Sequence, residues 1–226
     1  MKVTYYGHAC VAVEVAGRTL LFDPYFPATN ARASLDPTKV HADYILVSHG
    51  HSDHIGEAAN IAKRTGATVV SNFEITQWLG SKGVKKTWPL NLGGVARLDF
   101  GTVKFVTAVH SSSLPDGSYG GCPGGFVVET PTGSFYFSGD TALTYDMKLI
   151  GESTRLTFAA LCLGDTFTMG VDDALRAAEF LQCNQILGMH YDTVPVIRID
   201  RAAAVAKFAG AGKKLILLEV GQSYSF

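Results

Sequence analysis

Histidine or aspartate side chains stand immediately after apolar, strand-like runs at five places in this chain, and no other feature of the sequence constrains its fold as strongly. Asp23 follows Leu20-Leu21-Phe22, His49 follows Tyr44 to Val47 with only Ser48 between, and His110 follows Val106 to Val109. Asp140 follows Phe135 to Phe137 across Ser138-Gly139, and His190 follows Ile186 to Met189. Strand ends collect along one rim of a sandwich of sheets, where segments distant in sequence can converge. The alternative, isolated caps or core residues, would have to hold separately at each of these places.

Short β-rich runs punctuated by turns open the chain: Val3 to Tyr6, Cys10 to Val15 and Arg18 to Phe22, the spacing of an antiparallel meander. The polar stretch Pro27 to Lys39 reads as a long functional loop, placed with Tyr25 and Phe26 to act as a lid. A buried strand at Tyr44 to Val47 precedes a helix from Glu57 to Arg64 ended by Gly66, a strand at Ala67 to Val70 and a helix at Phe73 to Leu79. A second β-rich block covers Val95 to Phe100, Thr102 to Val109, Phe126 to Glu129 and Ser134 to Phe137. Strands at Phe158 to Leu163, Gln185 to Leu187 and Leu215 to Leu218 then alternate with helices at Val171 to Leu181 and Asp200 to Phe208. Asp172, Asp173 and Gly210 fit helix ends. Two β blocks, each followed by helices, predict an α/β fold in which two sheets pack face to face with helices outside.

With 226 residues, 47% hydrophobic and 17% charged, the chain suits one globular domain spanning residues 1–226. Lys+Arg (19) and Asp+Glu (20) nearly cancel, so no basic field recruits nucleic acid or an anionic membrane. No apolar run reaches the length of a membrane span, and Met1 to Tyr6 lacks the apolar region of a signal peptide, so the expectation is a cytoplasmic protein. The expected partner is a small-molecule substrate, with no nucleic acid and no membrane; a homo-oligomer is compatible with the sequence. Cys10, Cys122, Cys162 and Cys183 are too widely spaced for a CxxC pair, which leaves neither a disulfide framework nor a thiolate metal site.

The densest chemistry lies in Ser48-His49-Gly50-His51-Ser52-Asp53-His54, an H-x-H-x-D-H arrangement directly after a buried strand. A tight turn there would aim His49 and His51 to one side and Asp53 and His54 to the other, two adjacent half-sites suited to two metal ions. Imidazole and carboxylate donors without thiolate suit zinc, manganese or iron.

These landmarks, in this order, resemble the metallo-β-lactamase superfamily of binuclear metal hydrolases over essentially the whole chain: Asp23 in Leu-Phe-Asp-Pro, the H-x-H-x-D-H segment, His110, Ser138-Gly139-Asp140-Thr141 and Gly188-Met189-His190-Tyr191. The resemblance implies a four-layered αβ/βα sandwich. It also implies that His49, His51 and His110 hold one metal, that Asp53, His54 and His190 hold the second, and that Asp140 bridges them. Gly7-His8-Ala9, the Gly120 to Gly125 loop and Phe167-Thr168-Met169-Gly170 look like the small branch that includes ascorbate-6-phosphate lactonase-like proteins. The Gly7-His8-Ala9 element is also similar to N-acyl phosphatidylethanolamine phospholipase D, whose lipid substrate is not carried over.

The resemblance therefore implies two divalent metal ions, zinc by superfamily habit with manganese or iron as alternatives, and a bridging water or hydroxide that attacks a small anionic metabolite, a lactone or a phosphodiester. A nuclease or RNA-processing phosphodiesterase and a non-catalytic metal-binding protein are the competing functions. Asp53 is assigned to the second metal first and to proton relay second. Asp23, Ser48 and Thr141 are read as hydrogen-bonding supports of the ligands. His8, Thr168, Met169 and Tyr191 are candidates for the substrate pocket. His8 reads equally well as a core histidine, and aromatic and Met side chains are more often core than pocket.

Overall fold

Alternate residues of a strand face opposite sides of its sheet, and β2 (Cys10–Val15) buries both: Val11, Val13 and Val15 enter one apolar cluster, Cys10 and Ala12 another. In this computed structural model, which describes residues 1–26 and 36–226, the same division holds elsewhere. In β3 (Arg18–Phe22), Leu20 and Phe22 face the first cluster and Leu21 the second. In β11 (Leu156–Cys162), Phe158 and Ala160 join the first cluster, while Ala159 and Leu161 join a third. Strands buried on both faces need a layer on each side, so the chain forms four layers.

The first sheet has the order β14 (Ser223–Ser225), β1 (Lys2–Gly7), β2, β3, β4 (Tyr44–Leu46), β5 (Thr68–Asn72), β6 (Thr87–Leu90). The second has the order β13 (Lys214–Ile216), β12 (Gln185–Met189), β11, β10 (Gly133–Phe137), β9 (Gly124–Thr130), β8 (Gly101–Thr107), β7 (Val95–Leu98). Both follow one plan. An antiparallel meander leads into parallel strands, from β3 to β6 in one sheet and from β10 to β13 in the other. Helices α1 (Ser52–Ile55), α2 (Ala58–Thr65) and α3 (Phe73–Ser81) cover the first sheet through Ile55, Ile61, Ile75 and Leu79. Helices α4 (Asp146–Ser153), α5 (Val171–Phe180) and α6 (Arg201–Gly210) cover the second through Met147, Ile150, Ala177 and Phe208. Among the described residues no helix is long and apolar enough to cross a membrane.

Several elements depart from the sequence expectation. The segment read as a tight turn after His51 is the short helix α1. Strand β6 contains Pro89, which argues against a strand in sequence, yet β6 is an edge strand, where a missing N–H costs no ladder bond. Helix α4 carries Gly151 in its interior; a Cβ there would stand 2.3 Å from the Phe180 carbonyl oxygen, so the residue that weakens the helix signal is what lets α4 approach α5. Helix α6 runs through Gly210, and the left-handed position after it is Gly212, φ +70°. Helix α5 starts after Gly170 without a side-chain cap, and Asp172 pairs instead with Lys207 of α6. Most of the loop expected as a lid, residues 27–35 of Pro27 to Lys39, lies outside the described residues. Cys10, Cys162 and Cys183 are buried and unpaired, and Cys122 is exposed.

The sheets are joined by aromatic packing. Phe22 is fully buried, stacked on Phe137 at 4.7 Å and edge-on to Phe126 and Phe135 at 6.0 and 5.8 Å. Phe22→Ala is expected to destabilise the protein by about 3 to 5 kcal/mol through lost burial and the cavity left behind. Urea unfolding of chelator-treated protein checks this, and a loss below about 1 kcal/mol would mean that Phe22 is not a principal contact between the sheets.

Candidate metal centre

Strand direction explains why the five places meet. β1 and β3 are both antiparallel to β2, and β4 is parallel to β3, so these strands end on the same side. By the same logic β8 and β10 run together, and β11 and β12 run with them. His8 after β1, Asp23 after β3, His49 just beyond β4, His110 beyond β8, Asp140 beyond β10 and His190 after β12 therefore all leave the C-terminal ends of their strands. Packing the sheets face to face puts both rims in one place.

The H-x-H-x-D-H segment divides because its backbone changes conformation. His51 is extended (φ −60°, ψ 146°) and precedes α1, whose first turn carries Asp53 and His54. The donor atoms of His49, His51 and His110 lie within 4.8 Å of one another, and those of His8, Asp53, His54 and His190 form a second such group. Asp140 stands between them. Its Oδ2 is 3.0 Å from His190 Nε2, 3.2 Å from His54 Nε2 and 3.7 Å from His110 Nε2. Gly50 permits the close fit of the loop beyond His110: a Cβ would lie 2.9 Å from the Ser113 carbonyl oxygen, and the Gly50 N–H donates to Ser112 Oγ at 3.1 Å.

Beneath the histidines Asp23, fully buried, accepts three hydrogen bonds: from Ser48 N at 2.7 Å, from Ser48 Oγ at 2.6 Å and from His54 Nδ1 at 2.7 Å. The Ser48 hydroxyl spends its proton on Asp23, so at 2.9 Å it accepts from His49 Nδ1. His49 thus carries its proton on Nδ1 and presents the Nε2 lone pair to the centre. The Thr141 hydroxyl accepts from Val109 N at 2.9 Å and donates to the Ala142 carbonyl at 2.7 Å, which ties the segment before His110 to the one after Asp140. The Ser48 hydroxyl thus supports a histidine side chain, whereas the Thr141 hydroxyl bonds only backbone and supports no ligand side chain directly.

Three residues of the centre hold a left-handed backbone, His8 at φ +55°, Asp23 at +39° and His190 at +56°. Asp and His tolerate this region better than most residues, and such strain gathers at functional sites.

The electrostatics differ across the centre. Burial lowers the pKa of His49 well below the ordinary histidine value and also lowers His51 and His110. Burial works against the His54 cation too, but Asp140 and Asp23 outweigh it and raise its pKa well above that value. The Asp140 carboxyl is held well below the carboxylate range because His54 and His190 overcome its burial. For Asp53, burial is overcome by the hydrogen bond from His8 and the charge of His54, so its pKa is lowered. Carboxylates that favour a proton on His54 favour any cation placed between them.

The donor set fits divalent metal. Of the buried side-chain polar atoms without a hydrogen-bond partner among the described residues, His54 Nε2, Asp140 Oδ1 and His190 Nδ1 belong to this centre, and Tyr136 Oη is the other. Unpaired buried polar atoms are costly, and their concentration here marks a place for another bonding partner. Imidazole and carboxylate are the donors such an ion takes.

Substrate-pocket expectations fare differently. His8, expected on a pocket wall, stands within the second donor group. Met169 is 1% exposed and packs in the core under the second sheet, and Tyr191, 3% exposed, packs there too while bordering a small cavity with His8 and Thr193. The Tyr191 hydroxyl donates to the Leu218 carbonyl and its ring stacks on Tyr5, as expected where a large aromatic gains more by burial than by exposure. Thr168 is half-buried and its hydroxyl makes a local bond to the Met169 carbonyl. Thr193, not singled out in sequence, meets His8 Nδ1 at 2.7 Å; no motif marks it.

A family model described as the beta-lactamase superfamily domain matches residues 2–190. A UPF0173 metal-dependent hydrolase from Methylacidiphilum infernorum is 50% identical over 226 residues, 99% of each chain. Another, from Flavobacterium johnsoniae, is 48% identical over 223 residues, again 99% of each chain. Among solved structures, Igni18, a metallo hydrolase from the hyperthermophilic archaeon Ignicoccus hospitalis, matches with a TM-score of 0.89 at 33% identity, covering 100% of this chain and 98% of its own. Two mixed sheets flanked by helices, a His and Asp cluster able to bind metal, and identity over nearly the full length make this chain a member of the UPF0173 metal-dependent hydrolases of the β-lactamase superfamily.

Proposed function

We propose that the chain hydrolyses a small anionic metabolite, through lactone or phosphodiester cleavage, at a centre of two divalent metal ions. His49, His51 and His110 would hold one ion, Asp53, His54 and His190 the other, and Asp140 both. The position of Asp140 carries this reading: one buried carboxylate oxygen lies within 3.7 Å of histidine nitrogens from both donor groups. When bound, such ions lower the pKa of a water between them and polarise the scissile bond.

The remaining chemistry belongs to the chain. Asp53 has a more open carboxylate than Asp140, with 43% of its side chain exposed, so beside its part as a ligand it is the acidic side chain of the set that can pass the proton of the attacking water toward solvent. Asp23 and Ser48 hold His54 and His49 by their Nδ1 atoms, so that both rings present Nε2 inward. Zinc is the first metal to test, then manganese and iron, since the donors do not separate them. The near-neutral chain supports a small-molecule substrate over nucleic acid or membrane, in a cytoplasmic setting.

Metal-reconstituted protein is expected to turn over bis-p-nitrophenyl phosphate or model lactones. His51→Ala is expected to lower kcat/KM by at least about 100-fold, because loss of a ligand exceeds the 10- to 100-fold effect of losing its support. Unchanged turnover in His51→Ala would place the activity elsewhere.

A further inference from the structure

The centre gathers six of the chain's seven histidines, and His8 is the one to which the ligand scheme gives no part. Its backbone is fixed from both sheets. It sits between β1 and β2 in the left-handed region, and its carbonyl accepts from His190 N at 2.7 Å and from the Tyr5 hydroxyl at 3.1 Å. The buried ring lies 4.1 Å from the His190 ring and 5.6 Å from that of His54, which leaves it little room to turn.

Its two nitrogens are both engaged. Nε2 is 3.1 Å from Asp53 Oδ2, and Nδ1 is 2.7 Å from Thr193 Oγ1. A carboxylate can only accept, so the proton between His8 and Asp53 is on Nε2. In the neutral ring Nδ1 is then an acceptor, and the Thr193 hydroxyl donates to it. The hydrogen bond from His8 is the one that Asp53 receives at its side chain among the described residues. A carboxylate on the first turn of a four-residue helix, with 43% of its side chain exposed, has little else to fix its rotamer.

We infer that Thr193, His8 and Asp53 form a hydrogen-bonded chain in which His8 is a positioning residue: it fixes the Asp53 carboxylate toward the metal held with His54 and His190. The inference rests on the binuclear reading above.

Zinc titration against a chromogenic chelator tests it on wild type, His8→Ala, His8→Gln and Thr193→Val, with folding checked by circular dichroism and melting. Wild type is expected to take about two equivalents. His8→Ala is expected to keep the first at wild-type affinity and to weaken the second by about 10- to 100-fold, the usual effect of removing a ligand's hydrogen-bond support. His8→Gln, which restores an N–H at similar reach, should recover most of that loss, and Thr193→Val should weaken the second equivalent by less than His8→Ala does. Wild-type affinity for both equivalents in folded His8→Ala would overturn the inference, as would equal weakening in His8→Ala and His8→Gln. Should His8→Ala fail to fold, Thr193→Val decides, since it leaves the ring and backbone of His8 intact; unchanged binding there overturns the chain. Failure of the binuclear reading shows in wild type itself, as one equivalent or fewer bound, whereas failure of the His8 assignment shows only in the variants.

Discussion

Asp140→Ala is expected to reduce bound metal from about two equivalents to one or fewer and to abolish hydrolysis. Asp140 is 3% exposed and its Oδ2 faces nitrogens of His54, His110 and His190, so alanine removes a carboxylate that reaches both donor groups. It also leaves those imidazoles without the anion that favours positive charge among them. Elemental analysis of tag-free wild type and variant, each reconstituted with zinc, manganese or iron, measures the effect directly. Equal metal content in both would remove Asp140 from the centre. Wild type holding less than about half an equivalent after reconstitution would end the metal reading altogether.

The second large effect is expected at Asp23, and it should be present without metal. Asp23→Ala is expected to cost about 3 to 5 kcal/mol of stability, the range seen when one partner of a buried ionic pair is removed. Asp23 accepts from Ser48 N, Ser48 Oγ and His54 Nδ1, all in a fully buried setting, so alanine orphans two side chains and one backbone N–H together. Ser48→Ala removes only the hydroxyl and should cost about 1 kcal/mol. Urea unfolding in the presence of chelator separates this clamp from any contribution of bound metal. Equal unfolding midpoints for Asp23→Ala and Ser48→Ala would mean that the His54 contact contributes nothing to the fold.

Both variants concern residues that stand out in the sequence, and their legibility has a physical basis. Asp23 and Asp140 follow apolar runs whose ends the chain's own pattern reveals, and a buried carboxylate after a strand demands a partner. Thr193 is the opposite case. It lies in an irregular segment after β12, and only the contact of 2.7 Å with His8 gives it a part. Met169 and Tyr191 flank the centre in sequence but turn into the core, because neighbours along a chain share a location without sharing a direction.

The sequence by itself determined most of the strands and the packing of two sheets with helices outside, because strands covered on both faces read as short continuous apolar runs between turn residues. It also determined the donor types and the crowding of His49, His51, Asp53 and His54, since four such residues in six positions cannot separate far in space. Only the tertiary structure decided that the strands leading to His8, Asp23, His49, His110, Asp140 and His190 all run toward one rim. Direction depends on pairing between strands distant in sequence, which no local pattern encodes. It alone decided that His8 lies inside the centre while Tyr191 does not. A left-handed backbone at His8 and His190, held by a hydrogen bond between the sheets, sets where those rings point, and that bond exists only once both sheets have packed.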